Sequence, residues 1–368
     1  MKMIGVSAPL LFLLPVWLKA FSTIWEYPTE QCHKKNGTTY IDFKKYNITT
    51  NSNFKFNGDQ IVIFYEDTFG LYPYYENYSM DHPVNGGLPQ KCDLKAHLKK
   101  AKEDIKTNIP DENFSGLAII DFERWRPLFS ENDYMKKRVF QNESIRMHSG
   151  TLNGTNISDD DYRDYYSKAE VEFNHHAKMA FIFQASQALF PSVYLGSSTK
   201  TQKPLQRFRY VQAVLRETRR ISKRHKQLPI YAYTKFEYDQ IGVTSDFYDV
   251  HDLCAGIAQP IFLGVDGLIL WSSSSHMAAR CIGIKEEVNK RVGPLISKLT
   301  EARIKCSEEL CNSTGRCIRR GFKNQWCPMP KLKVWEYEYN KDEYACECIR
   351  EYKFPNCIKV ENGPAPKK

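Results

Sequence analysis

The chain has 368 residues, eleven of them cysteine, and a formal net charge of +9 from 52 Lys and Arg against 43 Asp and Glu. That length exceeds what a single small domain needs and suffices for one large core with an appendage. The moderate basic balance suits a polyanion, whether nucleic acid, anionic lipid or acidic polysaccharide, and outside a cell the polysaccharide is the expected one.

The chain opens on Met1-Lys2 and the apolar run "MIGVSAPLLFLLPVWL", which ends near Lys19-Ala20. A short basic start followed by a proline-broken stretch, too short to span a bilayer comfortably, reads as a cleaved signal peptide over residues 1–20; a buried N-terminal helix is the alternative. No later stretch is long and apolar enough to cross a membrane. The expectation is a secreted, extracellular monomer with neither membrane nor nucleic acid as partner. Eight Asn-x-Ser/Thr sequons, at Asn36, Asn47, Asn77, Asn113, Asn142, Asn153, Asn156 and Asn312, agree with export, as does the cysteine content.

Apolar runs follow at intervals: "QIVIFY" (60–65), "GLAII" (116–120), "PSVYL" (191–195), "LPIYAY" (228–233) and "GVDGLILW" (264–271). Polar stretches with helical periodicity lie between them, at 94–109, 205–225 and 279–303. Continuous apolar strands alternating with amphipathic helices predict a parallel sheet covered by helices, with a (β/α) barrel as first choice and an open doubly wound sheet as second. No G-x-G-x-x-G or Walker loop appears, which argues against nucleotide binding and leaves no cofactor implied. The basic run "RETRRISKRHK" (216–226) reads as the solvated face and end of a helix. Tyr231 and Tyr233 on the 228–233 run divide between core and cleft in this reading. His175-His176 lacks a third ligand at metal spacing, so a surface pair is expected and no metal site.

From Cys306 onward the composition changes, and seven cysteines (306, 311, 317, 327, 346, 348 and 357) crowd the end of the chain. C-x4-C-x5-C followed by C-x-C-x8-C fits a disulfide-stapled module of the EGF type, too small to stand without its bridges. Zinc is the competing reading, but paired C-x2-C knuckles are lacking. The expected domains are 1–20 signal, 21–303 (β/α) barrel, 304–358 EGF-like module and 359–368 tail.

The segment "GLAIIDFERWRPLF" (116–129) carries the chemistry. In a strand, residues i and i+2 project from the same face, roughly 7 Å apart. Asp121 and Glu123 therefore point one way at the C-terminal end of a strand, which is the catalytic end in a (β/α) barrel. Two close carboxylates do not ionise independently, so one should keep a proton near neutrality, as a glycosidase acid must. Trp125 can desolvate the pair or offer a sugar platform, and Arg126 can hold a carboxylate or a uronate. The plain alternative is a solvated turn with an ordinary Arg–carboxylate pair. Both acids lie in one segment, which suits a substrate that brings its own nucleophile. An N-acetyl sugar does so: its acetamido oxygen attacks the anomeric carbon, Glu123 is acid then base, and Asp121 orients the acetamide.

This segment closely resembles the strand and loop bearing the catalytic Asp-x-Glu of the hyaluronidases of animal venoms, sperm and lysosomes. "GLYPYY" (70–75), "NGGLPQ" (85–90), "LFPSVYL" (189–195), "GVDGLILWSSS" (264–274) and the cysteine-rich end resemble further family segments in the same order. The resemblance implies a distorted TIM-like α/β barrel with an extended cleft. The implied activity is an endo-β-N-acetylhexosaminidase cutting hyaluronan, or chondroitin, by the substrate-assisted retaining route. It implies Glu123 as proton donor and Asp121 as its positioning partner. Arg126 then lines the site, Tyr194 holds the acetamido group, and Trp271 packs against it with Ser273 and Ser274 nearby. Tyr72 and Tyr75 are candidates for stacking on sugars, though packing explains them equally well. The implied disulfides are Cys32–Cys281, Cys306–Cys317, Cys311–Cys346 and Cys348–Cys357, with Cys92, Cys254 and Cys327 unassigned.

One departure stands out, between "AEVEFN" (169–174) and "HHAKMAFIFQASQALFPSVYL" (175–195). There, family members carry the rest of a helix, a further strand and another active-site tyrosine. This chain is shorter by about forty residues at Asn174–His175, roughly one β-α unit, so the barrel is expected to be incomplete. Three readings follow: an active hyaluronidase, a catalytically impaired secreted glycan-binding variant, and an EGF-bearing adhesion protein acting through residues 304–368.

Overall fold

The computed structural model describes residues 21–33, 37–121, 123–126, 129, 132, 136–151, 175–239, 246–321, 337–348, 352–353 and 357–359. Outside them lie the expected signal peptide, Asn36, Asn153, Asn156, Cys327, all but the first residue of the C-terminal tail, and the stretch leading into the Asn174–His175 junction. The side chains of His175 and His176 also fall outside them.

In chain order the elements that matter are β1 (Ser22–Glu26), β2 (Ile48–Thr50), β3 (Ile61–Tyr65), α1 (Leu94–Asn108), β4 (Leu117–Asp121), α2 (Arg138–Thr151), α3 (Pro204–Arg224), β5 (Tyr231–Thr234), β6 (Gly267–Trp271), α4 (Met277–Glu287), α5 (Gly293–Cys311), β7 (Gly315–Arg319) and β8 (Tyr344–Cys348). They fall into two compact units, Met1–Thr50 with Gln187–Lys368, and Asn51–Ser186.

In the first unit the sheet is all parallel, in the order β2-β1-β6-β5. Trp25, Ile24, Ala232, Leu268, Ile269 and Leu270 are buried in it. A strand apolar at successive positions is what burial on both faces requires. The segment 189–195 extends this sheet only through bridges of Leu189 to Ile230 and Ser192 to Tyr233, not as the expected strand. Pro191 accepts from the Tyr233 N–H at 2.8 Å but has no N–H to return, which interrupts regular pairing. Tyr231 and Tyr233 are both buried, correcting the expected division between core and cleft. Two residues apart on a strand, they share a face, and the Phe190 ring lies 5.9 Å from one and 6.5 Å from the other.

The expected helix 279–303 is two helices, α4 and α5, joined by a wide π-type turn at Val288–Val292. Pro294 explains the break: it donates no backbone hydrogen bond, and its ring crowds the carbonyl four residues back. Helix α5 then runs unbroken across the expected domain boundary at 303/304. Beyond it, β7 and β8 form an antiparallel hairpin. Disulfides join Cys32 to Cys281, Cys306 to Cys317, Cys311 to Cys346 and Cys348 to Cys357. Cys254 is disulfide-bonded as well, and Cys92 is a free thiol.

In the second unit β3 and β4 pair in parallel, with Ile61 opposite Leu117 and Tyr65 opposite Asp121. Asp93 caps α1 by accepting from the Ala96 N–H at 3.0 Å. Val62, Phe64, Phe69 and Ala101 pack together with Ile109 and Phe114, seating α1 on one face of β3. On the same face of β4 the outcome differs: Ala118 is exposed and Ile120 is 55% exposed. A second cluster gathers Tyr75, Leu88, Val139 and Phe140. The second glycine of "NGGLPQ" serves this packing. Gly87 has φ +75°, and a Cβ there would sit 2.4 Å from the Tyr75 ring. Among the described residues the strands form an open four-stranded sheet, one parallel pair and four short antiparallel pairs, and no closed barrel is found.

Candidate active site

The in-register pairing of β3 and β4 brings two strand ends level, and both end in acid. Glu66 follows directly on Tyr65, Asp121 closes β4, and Glu123 lies two residues further on. The half-buried Asp121 carboxyl is pushed up from 3.8 to about 6. Burial is the largest cause, the negative charges of Glu123 and Glu66 add to it, and Arg126 works the other way. A proton is therefore held in this pair well above the usual carboxylate range. Glu123 itself is exposed.

The loop carrying Glu123 is tied at each step. The Glu123 N–H donates to Glu66 Oε2 at 3.2 Å, and its carbonyl accepts from Lys137 Nζ. Arg124 Nε lies 3.2 Å from Glu66 Oε1, and its guanidinium sits 5.0 Å from the Tyr74 ring centre. Trp125 stacks on Tyr72, with centroids 5.3 Å apart and planes 9° apart, and its indole N–H donates to the Pro73 carbonyl at 3.0 Å. The backbone of Arg126 exchanges two hydrogen bonds with the buried Asn132 side chain, at 2.7 and 2.9 Å. Tyr72 and Tyr75 are each 2% exposed, so packing is what the structure assigns them.

The second group of expected residues lies in the other unit. Tyr194 stacks on Trp271, with centroids 5.8 Å apart and planes 28° apart, and Tyr233 meets Tyr194 edge-on at 6.5 Å. The buried Lys235 places its ammonium 5.6 Å from the Tyr194 ring centre, a cation–π contact. Just past Trp271, a fully buried ion pair organises the loop. Arg280 donates to Glu237 Oε1 at 3.2 Å and Oε2 at 2.5 Å, to Ser272 Oγ at 2.6 Å, and to the carbonyls of Ser273 and Ser275 at 3.0 and 2.9 Å. Ser273 Oγ accepts from the Ser275 N–H at 3.1 Å, and Ser274 is exposed. Asp121, Glu123 and Arg126 are thus brought together in one unit, and Tyr194, Trp271, Ser273 and Ser274 in the other.

Glu66, Arg124, Lys235, Glu237 and Arg280 escaped the sequence reading. For Glu66 a signal existed: "IVIFYE" is an apolar strand ending in acid, as "LAIID" is. The sulfurs of Cys306, Cys311 and Cys317 lie within 4.8 Å of one another. Each is tied in a disulfide, which leaves no thiolate to bind a metal. Asn47, Asn77, Asn113, Asn142 and Asn312 are all exposed, as an attached glycan requires.

The family profile for hyaluronidase, glycoside hydrolase family 56, matches residues 14–173 and 153–353. A chondroitin hydrolase of Caenorhabditis elegans is 31% identical over 381 residues, covering 91% of this chain and 79% of its own. Hyaluronidase-1 of Bos taurus is 31% identical over 350 residues, covering 82% and 76%. Among solved structures, bee venom hyaluronidase aligns with a TM-score of 0.61 at 24% identity, covering 75% of this chain and 99% of its own. The same enzyme in complex with a hyaluronic acid tetramer aligns with a TM-score of 0.59.

Proposed function

The chain belongs to the hyaluronidase family and is a glycoside hydrolase, and on that premise we propose that it cuts hyaluronan outside the cell. The bond hydrolysed is the β-1,4 link from N-acetylglucosamine to glucuronate, by the substrate-assisted retaining route. Chondroitin is a second candidate substrate, since one relative is a chondroitin hydrolase. The observation that carries the proposal is the raised carboxyl at the end of β4, beside a second, exposed acid.

The acetamido oxygen attacks the anomeric carbon as Glu123 passes its proton to the departing glycosidic oxygen, and the carbon–oxygen link to the leaving sugar breaks. Asp121 holds the acetamide N–H and balances the positive charge of the cyclic intermediate. Water then attacks the same carbon from the face just vacated. Glu123 takes its proton, the acetamide is released, and configuration is retained. The exchange needs one proton on the pair; the elevated Asp121 carboxyl keeps it there up to about pH 6 and passes it to Glu123 as the acetamide N–H docks, which leaves Asp121 ionised to balance the charge. Arg126 supplies a cation for a uronate, and within its own unit the stacked pair of Tyr194 and Trp271 offers an aromatic face to a sugar.

A turbidity or zymogram assay on the purified chain tests this. Glu123→Gln, which keeps shape but gives up the proton, should lose about a hundredfold or more in rate. Clearing by that variant at the wild-type rate would sink the reading. The exposed outer face of β4 at Ala118 and Ile120 favours a second one, in which the fold is short of a covering element and the protein binds the glycan with little turnover. It predicts retention on immobilised hyaluronan with no clearing that depends on Glu123.

A further inference from the structure

We propose that Glu66 is a positioning residue for the reaction, locking the backbone of the proton donor from the neighbouring strand; the inference rests on the hydrolytic reading above. Glu66 stands one residue past the end of β3, whose last residue, Tyr65, is the register partner of Asp121 across the parallel pair. Its side chain is only 10% exposed. One oxygen accepts the Glu123 N–H at 3.2 Å and the other faces Arg124 Nε at 3.2 Å. A single side chain thereby ties together two consecutive residues of the catalytic loop, on either side of the peptide link that carries Glu123 onward.

A third carboxylate beside Asp121 and Glu123 is costly if all it does is accept one N–H, because glutamine could accept the same bond without the repulsion. The charge therefore has work to do. It holds Arg124 by attraction, and Arg124 in turn sits over Tyr74, so the loop is braced against the 71–75 segment. It also disfavours a negative charge on Asp121, and so helps keep a proton within the pair. The charged groups around this cluster are Glu123, Glu66 and Arg126 facing Asp121, Arg124 and the Tyr72 hydroxyl facing Glu66, and Lys137 on the Glu123 carbonyl. Such bracing fits the demand that a proton donor be held close to its working geometry, since a small displacement lowers the rate steeply.

The test compares wild type, Glu66→Gln, Glu66→Ala and Glu123→Gln in the full chain, with kcat, KM and the pH profile of kcat/KM measured on hyaluronan. Glu66→Gln keeps an acceptor for the Glu123 N–H and should retain most of the rate at its optimum. Its alkaline limb should move to lower pH, because one of the charges holding the proton on the pair is gone. Glu66→Ala should lower kcat about tenfold or more with KM little changed. If Glu66→Gln keeps the wild-type alkaline limb, the inference is overturned, whether or not Glu66→Ala folds. Inactivity of Glu123→Gln in that same experiment would leave the hydrolytic reading standing alone. A wild type with no turnover, or a fully active Glu123→Gln, refutes both, because there is then no proton donor to position.

Discussion

Asp121→Asn should make the protein more stable and less active, and the stability gain should depend on pH. The folded protein holds the Asp121 proton more tightly than an unfolded chain does, with the carboxyl raised from 3.8 to about 6. What this group contributes to stability is therefore fully present below pH 3.8 and is lost as pH rises through about 6. Two pH units at 1.36 kcal/mol each make the ionised form unfavourable by about 3 kcal/mol in the folded state. Water still reaches this half-buried group, and discounting for it leaves about 1–2 kcal/mol. Asparagine has the same shape and no charge to bury, so the variant should gain about that much at pH 7.5 and little at pH 4. Urea unfolding of both proteins at the two pH values measures the difference. A gain equal at both, or larger in acid, would refute the claim that burial and neighbouring charge raise this carboxyl. Activity should fall meanwhile by about a hundredfold, since the amide cannot balance the charge of the intermediate.

Arg280→Met should destabilise the unit holding the four-stranded sheet by about 3–5 kcal/mol, because it strands a fully buried Glu237 charge; urea unfolding measures it, and adding Glu237→Gln should restore a large part. Trp271→Ala should cost about tenfold or more in kcat/KM on hyaluronan by removing the partner of Tyr194, with Trp271→Phe keeping part of the activity; steady-state kinetics on all three proteins decides it.

What could be read from the chain, and what could not, follows the range of each interaction. Runs such as "GLILW" and "IVIFY" announce strands buried on both faces, and they pair in parallel as expected. The acid pair at the end of β4 was legible because strand and acids are neighbours in sequence. Glu66 was not, because it reaches Glu123 across 57 positions and is followed by Asp67 and Thr68, which look like any polar turn. The same holds for Glu237 and Arg280, 43 positions apart, whose pairing no local pattern reveals. Local rules did carry the remaining information where they were overlooked. Pro191 and Pro294 each mark the place where an expected strand or helix is interrupted.

The left-handed asparagines have a practical consequence for carbohydrate mapping. Asn47, Asn77 and Asn312 adopt φ of 56°, 52° and 50°, a conformation asparagine tolerates better than other side chains. Swapping any of them for glutamine to erase an oligosaccharide would also strain the main chain by about 1–2 kcal/mol, so a drop in yield would have two causes. Replacing the hydroxyl residue two places on avoids that at Asn47, through Thr49. At Asn312 it does not, because the Thr314 hydroxyl donates to the carbonyl of Cys357 at 2.8 Å and so helps hold the disulfide-rich module together.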